Sequence, residues 1–144
     1  GGGLSSRLFE EIRERRGLAY AVYSGVSSYA DAGVFQLYAG TQPEHRDEVS
    51  SLMRGELLKL AADVISDEEL DVAIGYLTGA FELGLEDTGA RMARTGGQLI
   101  TTGVVRPIAE QVARWAAVDQ AATRAVIRDV LAAEPIVVTV GPSA

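Results

Sequence analysis

The chain has 144 residues, of which 47% are hydrophobic and 23% are charged, so it can bury a core and is not intrinsically disordered. A net charge of −7 argues against nucleic acid and anionic membrane as partners, because both bind a positive surface. The absence of cysteine excludes disulfide and thiolate chemistry and fits a reducing compartment, so we expect a cytoplasmic protein.

The first elements are predicted to be a helix and two strands. Apolar residues at helical spacing, a serine before them and Gly17 after them predict a helix over about residues 5–16. Alternation over residues 18–30 predicts a strand in which Tyr20 shares a face with Val22, while Ala19 lies on the opposite face. The turn residues 31–33 precede a second strand over residues 34–41, so the two strands form an antiparallel hairpin.

Four or five helices and a last strand follow. The helices are predicted over about residues 43–62, 66–83, 89–101, 107–115 and 119–133. The residues that favour these helix N-termini are Pro43, Ser66, the run Glu86-Asp87-Thr88, Pro107 and Asp119. The β-branched run Ile136–Val140 predicts a closing strand.

This order predicts an α+β fold in which a mainly antiparallel sheet has helices packed on one face. Because three strands make a thin sheet, we expect the fold to be incomplete at the N-terminus, with further strands ahead of Gly1. Residues 1–144 would then be a single partial domain. An uncovered sheet edge predicts that this piece associates with itself.

Arg13 and Tyr20 are the leading candidates for chemistry. A guanidinium near the helix end and a phenol early in the strand can converge on one carbonyl oxygen or peptide backbone. The alternative is structural: Arg13 pairs with Glu10 or Glu14, and Tyr20 packs in the sheet. Arg13, Arg15 and Arg16 are interleaved with Glu10, Glu11 and Glu14, and this pattern predicts a salt-bridged helix face.

The sequence of this region resembles the C-terminal-domain signature of the pitrilysin and mitochondrial-processing-peptidase family of zinc metallopeptidases. The matches in order are Ser6-Arg7-Leu8-Phe9, Arg13-Glu14, Gly17-Leu18-Ala19-Tyr20, Tyr23-Ser24, Tyr38-Ala39-Gly40-Thr41 and later landmarks up to Val140-Gly141-Pro142. The resemblance implies that Arg13 and Tyr20 contact the substrate or the carbonyl under attack. It also implies that Gly1, Gly2 and Gly3 lie near the substrate channel, although backbone geometry alone would also explain them.

The family's zinc motif, H-x-x-E-H, is missing from the chain. The one histidine, His45, is interpreted as a surface residue and not a zinc ligand, so zinc is expected only in the full-length parent. A phosphate-binding role for the glycines is disfavoured because the Gly-Lys-Ser/Thr ending is absent.

The resemblance implies the C-terminal part of a zinc metalloendopeptidase that positions a peptide or unfolded polypeptide opposite a zinc site in an N-terminal domain or a homologous subunit. This piece alone is expected to be inactive. A non-catalytic subunit of the same fold, like the core proteins of respiratory complexes, is the alternative.

Overall fold

The computed structural model describes residues 3–62 and 65–142. In chain order the elements are a π-helix (Phe9–Glu14), strands β1 (Ala19–Ser28) and β2 (Gly33–Thr41), a 3₁₀ turn (Pro43–His45), and helices α1 (Arg46–Ala62), α2 (Asp67–Gly84), α3 (Thr88–Thr102), α4 (Ile108–Ala116) and α5 (Gln120–Leu131). The predicted α+β fold is confirmed. The described residues form two compact units, one made of residues up to 62 and from 125 onward, the other of residues 65–124.

The first helix is short and unusually wound. Ser6 caps its start, because its Oγ accepts a hydrogen bond from the backbone N–H of Phe9 at 3.3 Å. A wide turn is closed by the Arg15 N–H, which donates to the Glu10 carbonyl at 2.9 Å, the i to i−5 pattern of a π-helix. Gly17 then takes the left-handed conformation, with φ of +65°, which ends the helix as predicted.

The two strands form an antiparallel hairpin with one irregularity. Ala21 lies opposite Gly40 and Ala19 opposite Thr41, so Tyr20 is an extra residue on β1. This is a β-bulge, which interrupts the strict alternation of side chains along a strand. The bulge sits at the end of β1 that is nearest the π-helix in sequence, and it therefore decides where Tyr20 points.

A small core holds the π-helix against the hairpin and α1. Its buried members are Leu8, Phe9, Ile12, Ala19, Val22 and Val49. The Thr41 hydroxyl donates to the Leu18 carbonyl at 2.6 Å and fixes the backbone where helix leads into strand. The core thus joins the helix that carries Arg13 to the strand that carries Tyr20.

The second unit is helical. Helices α2 and α3 begin at capped positions: Ser66 Oγ accepts from Glu69 N–H at 3.1 Å, and Asp87 Oδ1 accepts from Ala90 N–H at 2.6 Å. The Phe81 and Trp115 rings meet edge to face at 5.1 Å and connect α2 with α4. The predicted helix starts at Ser66 and within residues 86–88 are therefore confirmed.

The predicted closing strand is wrong. Residues 136–140 pair with neither β1 nor β2 in the described structure, and Ile136 and Val140 are 92% and 95% exposed. β-Branched residues favour an extended chain, but a strand also needs a neighbour whose backbone groups bond to it. In the described structure residues 136–140 do not lie in a ladder with either strand.

Candidate functional site

The structure brings Arg13 and Tyr20 together. The Arg13 guanidinium carbon lies 5.3 Å from the centre of the Tyr20 ring and 4.7 Å from the centre of the Phe9 ring. Both distances are within the range of a cation–π contact. A cation beside two aromatic rings is the first feature of the site.

Tyr20 is the more exposed member of the pair. Its side chain is 86% exposed, whereas Ala19 and Val22 are both buried. The predicted faces were therefore wrong: Ala19, not Tyr20, enters the core with Val22. The reason is the bulge at Tyr20, which adds one residue to the strand and turns its side chain out of the core.

Among the described residues, Arg13 takes no part in the ion pairs at the first helix. Arg15 binds Glu10 at 2.6 Å and Glu11 at 3.5 Å, and Arg16 binds Glu11 at 2.7 Å. The predicted salt-bridged face is confirmed for these two arginines. In the described part of the chain Arg13 has no carboxylate partner, so the structural alternative for Arg13 is contradicted.

The surrounding charges have shifted pKa values. The hydrogen bond from Arg16 is the main cause that lowers the pKa of the Glu11 carboxyl below its usual 4.5. The hydrogen bond that Arg15 donates to the Glu10 carboxylate is the main cause that raises the pKa of the Arg15 guanidinium. Both shifts arise from ion pairs in which Arg13 takes no part among the described residues.

This arrangement can bind an electron-rich oxygen. A guanidinium offers five N–H donors in a planar fork, and a phenol offers one O–H donor. A contact with a ring face attracts the charge of Arg13 but does not use up those donors as a carboxylate would. The exposed pair can therefore donate to a carbonyl or carboxylate oxygen of a ligand.

Of the three glycines predicted to lie near a substrate channel, only Gly3 belongs to the residues that the structure describes. Gly1 and Gly2 lie outside the described residues, while the Gly3 carbonyl accepts a hydrogen bond from Ser6 N–H at 3.0 Å. This bond forms the turn before the helix. The proposed place of the glycines near a substrate channel stays a prediction.

The described residues do not fit a zinc ion. His45 is half-buried at the end of the 3₁₀ turn, and nowhere in residues 3–62 and 65–142 do three histidine, aspartate or glutamate side chains cluster closely enough to hold a metal. Zinc needs three or four such ligands. The same residues contain no helix long and apolar enough to cross a membrane.

Sequence reasoning overlooked Phe9 as part of this site. Phe9 is nine-tenths buried and belongs to the small core. The signal that could have found its second contact is its position four residues before Arg13, since such pairs meet on one helix face.

The comparison with protein families finds a match over the part of the chain that contains the candidate site. The model described as the peptidase M16 inactive domain matches residues 1–77, which include Arg13 and Tyr20. An uncharacterized zinc protease of Streptomyces coelicolor is 46% identical over 142 residues, covering 99% of this chain and 31% of that protein. An uncharacterized zinc protease of Mycobacterium bovis is 39% identical over 142 residues, covering 99% and 32%.

Solved structures share the fold. The peptidase M16 inactive domain from Pseudomonas fluorescens superimposes with a TM-score of 0.74 at 24% identity, over 90% of this chain and 31% of that one. The chain spans about a third of the length of the curated relatives that it matches. These relatives are therefore longer proteins of which one segment is similar to this chain.

Proposed function

We propose, from the premise that this chain belongs to the M16 peptidase inactive-domain family, that it holds the substrate polypeptide in a zinc-protease-like protein. The premise rests on the family match over residues 1–77, which is more than half of the chain, and it confirms the resemblance seen in the sequence. Relatives that are 46% and 39% identical are named zinc proteases. This supports a zinc peptidase as the parent protein.

The observation that carries the proposal is the contact between Arg13 and Tyr20. The two side chains come from different elements and are both exposed, and the Arg13 guanidinium carbon lies 5.3 Å from the centre of the Tyr20 ring. Arg13 has no ion pair in the described part of the chain, although glutamates lie on the same helix. A charged donor kept unpaired beside a phenol is the arrangement expected of a ligand-binding pair.

The chemistry assigned to the chain is binding and orientation. Arg13 donates to a backbone carbonyl of an extended peptide, and the Tyr20 hydroxyl donates to the same or the adjacent carbonyl. Donors at the carbonyl under attack stabilise the negative charge that develops there. Because the described residues do not fit zinc, no step at the metal belongs to this chain, and we propose that the isolated chain is inactive.

The partners follow from the same proposal. They are a peptide or unfolded polypeptide, preferably basic or neutral because the chain carries a net charge of −7, and a metal-bearing domain of the same protein or of a homologous subunit. We also propose that the isolated chain associates with itself and that the protein is cytoplasmic.

The test is a peptidase assay of the full-length protein with a fluorescence-quenched basic peptide. Arg13→Ala is expected to lower kcat/KM by about 100-fold if the guanidinium stabilises the developing charge, and Tyr20→Phe by about 10-fold. Bound zinc, measured by atomic absorption, should be unchanged in both variants.

Matched controls lie directly after the same two elements. Arg15→Ala removes an arginine that is ion-paired with Glu10, and Tyr29→Phe removes an exposed phenol near the other end of the hairpin. Both should keep kcat/KM within about twofold. Equal effects of Arg13 and Arg15 substitution would refute the assigned role, and a full-length protein without zinc or cleavage would favour the non-catalytic subunit.

A further inference from the structure

We infer that Phe9 is a positioning residue that holds the Arg13 guanidinium beside Tyr20. This inference rests on the proposed function and adds to it a residue that does not touch the substrate. The Phe9 ring centre lies 4.7 Å from the guanidinium carbon, nearer than the Tyr20 ring at 5.3 Å. Arg13 thus has two aromatic contacts of different character.

The two rings differ in how firmly they are held. Phe9 is nine-tenths buried and belongs to the cluster formed with Leu8, Ile12 and Val22, whereas the Tyr20 ring is exposed. A side chain packed in a core keeps one rotamer, while an exposed ring changes rotamer readily. The fixed reference for the guanidinium is therefore Phe9.

The ion-pair pattern explains why an aromatic contact is needed. Among the described residues Glu10 and Glu11 bind Arg15 and Arg16, and no ion pair joins Arg13 to Glu14. A carboxylate partner would occupy the N–H donors of Arg13 that a substrate carbonyl needs. A ring face restrains the cation and leaves those donors open.

The experiment is a double-mutant cycle on kcat/KM in the full-length protein, with the same quenched basic peptide. Phe9→Leu removes the ring and keeps an apolar side chain. It is expected to lower kcat/KM about three- to tenfold in the unmodified protein. In the Arg13→Ala background Phe9→Leu should have no further effect, because the group it positions is gone.

Controls separate positioning from packing. Leu8→Met alters an equally buried side chain of the same cluster without touching the guanidinium, and should leave kcat/KM within about twofold. Phe9→Tyr retains a ring and should restore most of the activity lost in Phe9→Leu. If Phe9→Leu fails to fold, Phe9→Met takes its place.

A second readout does not depend on activity. In the NMR spectrum the Nε–Hε resonance of Arg13 should carry a ring-current shift that Phe9→Leu reduces and Leu8→Met does not. An equal loss from Phe9→Leu with and without Arg13, or an unmoved resonance, overturns the inference. If Arg13→Ala leaves kcat/KM intact, the proposed function fails instead, and the resonance alone decides the role of Phe9.

Discussion

Replacing Ile12 by alanine tests whether the small core really joins the site's two elements. Ile12 is 0% exposed, and the change removes three carbon atoms at about 0.8 kcal/mol each. The cavity left behind adds to this cost, so the free energy of unfolding should fall by about 3–4 kcal/mol. That is a large part of the roughly 5–15 kcal/mol that stabilises a typical domain.

Urea unfolding measured by circular dichroism gives the size of the effect, and amide hydrogen exchange gives its location. Protection should fall most in the paired strand residues Val22 and Ala39, since they adjoin the core that Ile12 completes. The control is Val26→Ala on the same strand. Val26 is 74% exposed, so its truncation should cost no more than about 0.5 kcal/mol.

The reasoning is refuted if Ile12→Ala costs less than about 2 kcal/mol, the lower end of the range for truncating a buried isoleucine to alanine. It is also refuted if hydrogen exchange in β1 and β2 is unchanged while the global unfolding free energy falls. Either result would mean that the π-helix does not depend on the hairpin for its stability. The closeness of Arg13 and Tyr20 would then need another cause.

Three further predictions concern caps, backbone and pH. Gly17→Ala should lower the free energy of unfolding by about 1 kcal/mol, because φ is +65° at this residue. Gly75→Ala should raise the free energy of unfolding by up to about 1 kcal/mol, because nothing lies within 4 Å of the added Cβ. Thermal unfolding of the two variants compares them. Ser66→Ala should cost about 1 kcal/mol in the same assay, since it removes the α2 cap, and no change would show that the cap is dispensable. The pKa of Glu11 is lowered mainly by its hydrogen bond with Arg16. The ionised Glu11 therefore contributes to stability above pH 4.5, and this contribution is lost as the pH falls through the lowered pKa. Urea midpoints between about pH 5 and pH 3 should fall less for Glu11→Gln than for the unmodified chain.

Local signals in the sequence located most helices and strands. Serine and aspartate caps, prolines and glycine stops act within a few residues, so they predicted where α2 and α3 begin and that Gly17 ends the first helix. The hairpin was predicted for the same reason, because its turn residues and alternating strands are local features. The family resemblance added the identity of Arg13 and Tyr20 as candidates.

Long-range pairing was not predictable in the same way. Residues 136–140 have strong β propensity and yet form no ladder in the described structure, because propensity says nothing about whether the fold brings a segment beside a strand edge. The π-helical winding of Phe9–Glu14 was also invisible to periodicity. Both depend on the packing of the segment and not on its composition.

The amino-acid sequence by itself determined the element order, the caps, the charge and the residue types of the candidate pair. Only the tertiary structure decided that the Tyr20 side chain is turned outward and that Phe9 contacts the Arg13 guanidinium. It also decided that, among the described residues, Arg13 makes no ion pair with the glutamates of its helix. The physical reason is that one extra residue in a strand reverses which side chains face the core. The choice of ion-pair partners likewise depends on distances that only the folded chain defines.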